Sequence, residues 1–195
     1  KLLEELDKLM KANDQPEMKE KMQQIDKESD ALNKQLDRSL EMLKRLQLNE
    51  KIDDVQKELE QLSNDQKQLT EDIANEKISK EQQIEEQKKI NDRFDQLKDD
   101  LKRLNELNKS LESPMQLSDT EEQENAISDE LNNSQEKLES GKQEKAKESQ
   151  QNAAEEMQEL SKQLEQDQQV SNQAEAEEDI ETLRRILESL VNISL

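Results

Sequence analysis

Apolar residues recur along this chain at intervals of three and four, the spacing that lines up one face of an α-helix. Leu2, Leu3, Leu6, Leu9 and Met10 open the pattern, and residues 11–16 interrupt it. Asp14 followed by Glu17 has capping-box spacing. Pro16 would fall in the first turn, where its missing N–H costs little. A helix is therefore expected to start near Gln15. No further Pro or Gly occurs until Pro114. Read as one helix, that stretch would be roughly 150 Å long at about 1.5 Å per residue, and a helix of that length needs a partner. Heptads supply one. Ile52, Val55, Leu59, Leu62, Gln66, Leu69 and Ile73 fall on alternating a and d positions, and so do Ile90, Phe94, Leu97, Leu101, Leu104, Asn108 and Leu111. The seam positions between the two blocks, Glu76, Lys80, Gln83 and Gln87, are polar, with Ile78 and Ile84 off the seam. A coiled coil with a weak middle is expected, residues 75–88 opening first. An earlier block (Met22, Ile25, Ser29, Leu32, Leu36, Ser39, Leu43, Leu46) runs two residues out of step with Leu48 and Ile52. A change of twist or of partner is expected near residue 47.

Ser113-Pro114 should end the long helix, and Ser118 with Glu121 has the spacing of a second capping box. A short link joins antiparallel neighbours, so the pattern predicts a helical hairpin. Its return arm carries Ile127, Leu131, Leu138, Met157, Leu160 and Leu164, with only alanines and polar residues between Leu138 and Met157. Gly141 lies in this thin region and is expected to weaken it. Residues 167–176 are Gln-rich and weakly patterned, which suggests a frayed segment or linker. A final amphipathic helix follows, with Ile180, Leu183, Ile186, Leu187, Leu190 and Val191 as its apolar face. The predicted class is all-α: an elongated antiparallel helical hairpin or coiled coil with a shorter C-terminal helix. Its parts are a short and a long helix over 1–112, a turn at 113–118, a return helix over 119–170, and a linker with the last helix over 171–195. Equal counting from a turn at Pro114 would set residues 180–190 beside 38–50.

Composition rules out the main alternatives. Charged residues make up 41% and apolar residues 29%, against globular averages of about 25% and 45–50%. Phe94 is the one aromatic side chain, and the chain holds one Gly and two Pro. Sheets joined by tight turns need more of both, so β-containing folds are not expected. The net charge is −21, unevenly spread: residues 1–112 carry 22 basic and 29 acidic side chains, and residues 113–195 carry 7 and 21. Such a polyanion repels nucleic-acid phosphates and anionic lipid surfaces. No run of apolar residues is long enough to insert directly into a bilayer.

Two stretches carry a family resemblance: Leu36-Asp37-Arg38-Ser39-Leu40-Glu41-Met42-Leu43-Lys44-Arg45-Leu46 and Glu178-Asp179-Ile180-Glu181-Thr182-Leu183-Arg184-Arg185-Ile186-Leu187-Glu188-Ser189-Leu190-Val191. With Ser149-Gln150 and Ala153-Ala154-Glu155-Glu156-Met157, they resemble the helical region of a large uncharacterised family of Bacteroidota. That family has transmembrane helices near its N-terminus and a long Glu/Lys/Gln/Met-rich segment downstream. The resemblance implies a membrane-anchored parent protein in the cell envelope. It implies no catalytic residues.

The side-chain inventory points away from catalysis. With no His and no Cys, only carboxylates could ligate a metal, and Asp99-Asp100, Glu121-Glu122 and Glu177-Glu178-Asp179 lack the turns of a calcium loop. They read as solvated acidic faces. No catalytic residue, metal ligand or cofactor is expected, since a narrow helical seam offers no pocket to shift a pKa. Asn108, at an a position, is a candidate register-setting residue, the alternative being that Leu107 takes the seam. Asn132-Asn133-Ser134 and Asn192-Ile193-Ser194 match the glycosylation pattern by chance on helices. The expected role is a non-enzymatic coiled-coil spacer or scaffold. The alternative is capture of a protein partner, or self-association, through the C-terminal helix or the polar middle of the coiled coil.

Overall fold

The computed structural model describes residues 15–193 as four α-helices with no strand among them. They are α1 (Gln15–Ala74), α2 (Lys80–Lys109), α3 (Glu121–Glu139) and α4 (Gln143–Ile193). The all-α class read from the pattern is the one observed. The apolar face of residues 2–10 lies outside the described residues. The chain divides into two units at Leu46 and Gln47. Residues 15–46 of α1 belong to the first, and everything from Gln47 onward belongs to the second.

The second unit is an antiparallel four-helix bundle rather than one hairpin. The long helix expected over 15–112 breaks at residues 75–79. Glu76 takes a left-handed backbone conformation, φ 53°. Its N–H donates to Ile73 O at 3.1 Å, and that of Lys77 donates to Asp72 O at 2.9 Å. This pair of bonds is the Schellman ending of a helix, which usually falls to Gly. Ser79 then starts α2 with a capping box: its hydroxyl accepts from Gln82 N–H at 3.3 Å, and its own N–H donates to Gln82 Oε1 at 2.9 Å. The second break corrects the return helix expected over 119–170. Gly141, φ 72°, ends α3 with the same two bonds, Gly141 N–H to Leu138 O at 3.0 Å and Lys142 N–H to Lys137 O at 2.8 Å. Gly141 is therefore a helix terminator, not a weak helical residue.

The 113–118 turn lies in the remaining connection, between α2 and α3. The capping box expected of Ser118 does not form, because Ser118 is turned to α4. Its N–H and hydroxyl donate to the Asp167 carboxylate at 2.7 and 3.1 Å. Thr120 is the N-cap residue of α3 instead. Nor is there a linker at 167–176, since α4 runs through it unbroken.

Both sets of heptad positions are buried, as is the return-arm set from Ile127 to Leu164. Ile78, Ile84, Leu107 and Leu117 pack partly buried against the same core. Ile84 and Leu107 lie off a two-residue seam, but a helix in a four-helix bundle buries a wider stripe, while Ile78 and Leu117 belong to the connections that close the bundle ends. The stretch of α4 without large apolar side chains is filled by small residues around Gln150. Ala146, Ser149, Ala153 and Ala154 are all buried, and Ser63 Oγ of α1 donates directly to the backbone carbonyl of Ala154 at 2.7 Å.

Candidate functional site

The most distinctive feature of the bundle interior is a polar layer to which every helix contributes. Gln66 of α1, Gln87 of α2, Ser134 of α3 and Gln150 of α4 are all fully buried. Gln66 and Gln87 exchange hydrogen bonds: Gln66 Nε2 donates to Gln87 Oε1 at 3.0 Å, and Gln87 Nε2 donates to Gln66 Oε1 at 2.8 Å. Gln87 Oε1 also accepts from Ser134 Oγ at 2.8 Å and Gln150 Nε2 at 2.9 Å. Thr70 Oγ1 shares its one proton between Gln66 O at 2.8 Å and Gln150 Oε1 at 3.2 Å. Toward the surface the chain of bonds continues from Gln87 Nε2 to Asn91 Oδ1 at 3.0 Å, and from Asn91 Nδ2 to Gln135 Oε1 at 3.0 Å. A buried amide costs little when its donors and acceptors are met and much when they are not. Sliding one helix by a turn would strand all of these groups at once, so the layer fixes register and pairing.

The polar seam expected to open first is thus divided. Glu76 lies in the turn, and Lys80 reaches across the end of the bundle to donate from Nζ to Glu139 O at 3.0 Å. Gln83 and Gln87 are buried, and Gln83 Oε1 accepts from Gln143 Nε2 at 3.0 Å. The Gln83 and Gln87 side chains of the polar middle are therefore interior. Glutamines at seam positions were visible in the sequence. Their shared layer was not, because Gln150 and Ser134 reach it only through the fold.

Asn108 is buried, and Leu107 stands half-buried beside it. The Asn108 side chain clamps the connection to α3: Nδ2 donates to Met115 O at 2.9 Å and Oδ1 accepts from Met115 N–H at 2.7 Å. The bonds that the structure gives this residue are to the loop, where they hold Met115 over the end of the core.

Charged pairs sit around the outside. Lys51 meets Asp100 at 2.7 Å, and Arg93 is held between Glu58 at 2.9 Å and Asp65 at 2.5 Å, all joining α1 to α2. Burial works against the Arg93 charge, but hydrogen bonds to Asp65 and Glu58 outweigh it and raise its pKa. In the α1–α2 turn, Lys77 donates to Asp72 at 2.8 Å. That bond lowers the Asp72 pKa and raises that of Lys77. Beside this turn lies a surface groove of about 690 Å³, with Leu69, Ile78 and Ile90 among its apolar lining and Asp72, Lys89 and Arg93 among its charged groups.

The described residues include no group of three or more carboxylates placed to hold a metal ion. None of the described helices is long and apolar enough to cross a membrane. Of the predicted interaction face on α4, Ile180, Leu183 and Leu187 are exposed by 60–66%. The side chains of Ile186, Leu190 and Val191 lie outside the described set. Exposed large apolar side chains fall on two stretches, from Met22 to Leu46 and from Val170 to Leu187. The bundle between them buries its own. Comparison with protein-family models, curated proteins and solved structures finds no match.

Proposed function

We propose that this chain is a non-enzymatic helical scaffold, a spacer segment of a larger cell-envelope protein. The observation that carries this reading is the division of labour along the chain. Residues 48–164 bury a continuous core locked by a four-helix polar layer, while the exposed apolar side chains lie outside it. A body of fixed register bearing adhesive helix ends suits the spacing and joining of other parts. The interior layer supports the same reading, since its amides are spent on one another and not on a substrate. Envelope placement rests on the resemblance of residues 36–46 and 178–191 to the membrane-anchored family.

A second reading, capture of a partner protein by the C-terminal helix, is favoured by the exposed face of Ile180, Leu183 and Leu187. One experiment separates the two. In the source cell, residues 47–169 are replaced by an unrelated antiparallel four-helix bundle, and in a second strain Leu183 and Leu187 are both changed to Asp. Scaffolding requires that the replacement keep envelope integrity and growth. If the replacement abolishes them, the spacer reading fails. If it keeps them and the Asp pair abolishes them, partner capture is the essential activity.

A further inference from the structure

Against the four heptad positions of the α4 end, Ile180, Leu183, Leu187 and Leu190, the apolar face of α1 between Met22 and Leu46 keeps one phase over eight. Its a positions are Met22, Ser29, Leu36 and Leu43, and its d positions are Ile25, Leu32, Ser39 and Leu46. Leu32, Leu36, Leu43 and Leu46 are 57–67% exposed. A period of 3.5 residues is the pattern of a helix that wraps around another helix. We propose that residues 22–46 form a homotypic coiled-coil interface covered by a second copy of this chain. This inference does not depend on the scaffold reading.

Charge permits a second copy at this face and disfavours one at the α4 end. Residues 15–46 carry seven basic and seven acidic side chains in a chain of net charge −21. Two such segments meet without net repulsion. Residues 171–193 carry two basic and six acidic side chains, so two of those helix ends repel each other. The serines supply a second argument. In a parallel in-register pair, Ser29 meets Ser29 and Ser39 meets Ser39. In the antiparallel pair that sets Met22 opposite Leu46, Ser29 meets Ser39, Ile25 meets Leu43, and Leu32 meets Leu36. Either way serine faces serine and apolar faces apolar, the self-complementarity that a two-fold interface requires. Ser39 is also prepared for burial, since its hydroxyl already donates to Gln35 O at 2.9 Å within the helix. Leu40 and Met42 flank the seam and widen the apolar stripe.

The test is sedimentation equilibrium on the full chain, alone and with paired substitutions. The wild-type chain should sediment at no less than twice 22.8 kDa. Added salt should tighten the association, because screening relieves the repulsion between the acidic remainders and a neutral interface loses little by it. Leu36→Asp with Leu43→Asp should return the mass to 22.8 kDa. The urea midpoint of the bundle should not move, since both side chains lie outside the core. Leu183→Asp with Leu187→Asp should leave the mass at the wild-type value. A wild-type chain that is monomeric at its highest soluble concentration overturns the proposal. So does an assembly that survives Leu36→Asp with Leu43→Asp, or one that the α4 pair dissolves, alone or as well.

Discussion

Gln87→Leu is the substitution that asks most of the polar layer. Leucine fills a similar volume and suits a helix, so any loss comes from the amide. Gln87 Oε1 is the acceptor for Gln66 Nε2, Ser134 Oγ and Gln150 Nε2. Removing it strands three buried donors, at about 1–3 kcal/mol each. Burying an additional aliphatic side chain returns about 1.5–3 kcal/mol. With middle values throughout, the expected net destabilisation is about 4 kcal/mol, or a fall in Tm of roughly 8–16 °C for a chain of this size. Urea unfolding followed by circular dichroism measures it. A companion variant tests the reason. Changing Gln66, Gln87 and Gln150 to Leu and Ser134 to Ala together removes donors and acceptors alike, while Thr70 Oγ1 keeps its bond to Gln66 O at 2.8 Å. That variant should recover to within about 1 kcal/mol of the wild type or exceed it, because the buried amides lose both partners together and Asn91 Oδ1, which loses Gln87 Nε2, is only half-buried and can turn to water. It should also lose uniqueness of register, seen as broadened side-chain resonances. A Gln87→Leu chain as stable as the wild type, or a fourfold variant as weak as the single one, would refute the account.

The two left-handed helix ends make opposite forecasts. Gly141→Ala should cost about 1–2 kcal/mol, and Glu76→Gly should stabilise by up to about 1 kcal/mol by relieving the same backbone; urea midpoints read both, and equal signs would contradict the assignment. Hydrogen exchange should be fast at residues 75–79 and slow at 83–88, so fast exchange extending across both would mean the glutamine layer does not hold. The Lys77–Asp72 bond predicts a pH window. With the Asp72 pKa depressed from its ordinary 3.8, the stability it adds is present above that value and lost as pH falls through the depressed one. With the Lys77 pKa raised from its ordinary 10.5, its share is present below that value and lost as pH rises through the raised one. Lys77→Met should therefore lower Tm across the range between, with the difference closing at either extreme; a difference that persists in strong acid would point to packing instead.

Periodicity alone was enough to find the helical class and most of the apolar interior. The positions from Ile52 to Ile73, Ile90 to Leu111 and Ile127 to Leu164 could be named from spacing, because an apolar stripe on a helix must be buried whichever helix covers it. The change at residue 47 was legible for a similar reason: the heptads shift phase there, and the described core begins at Leu48. The partner of each stripe was not legible. Ile73 and Phe94 are 21 residues apart, so the heptad phase carries through the turn at 75–79 as smoothly as through a straight helix. The turn also lacks the usual punctuation, being built on Glu76 where Gly is customary, and its one clear signal is the Ser79–Gln82 capping box. Pairing was decided by contacts distant in sequence, above all the meeting of Gln66, Gln87, Ser134 and Gln150 in one layer. A pattern along the chain records which side of a helix avoids water, whereas the satisfaction of a buried amide depends on what lies across from it, and only the tertiary structure supplies that.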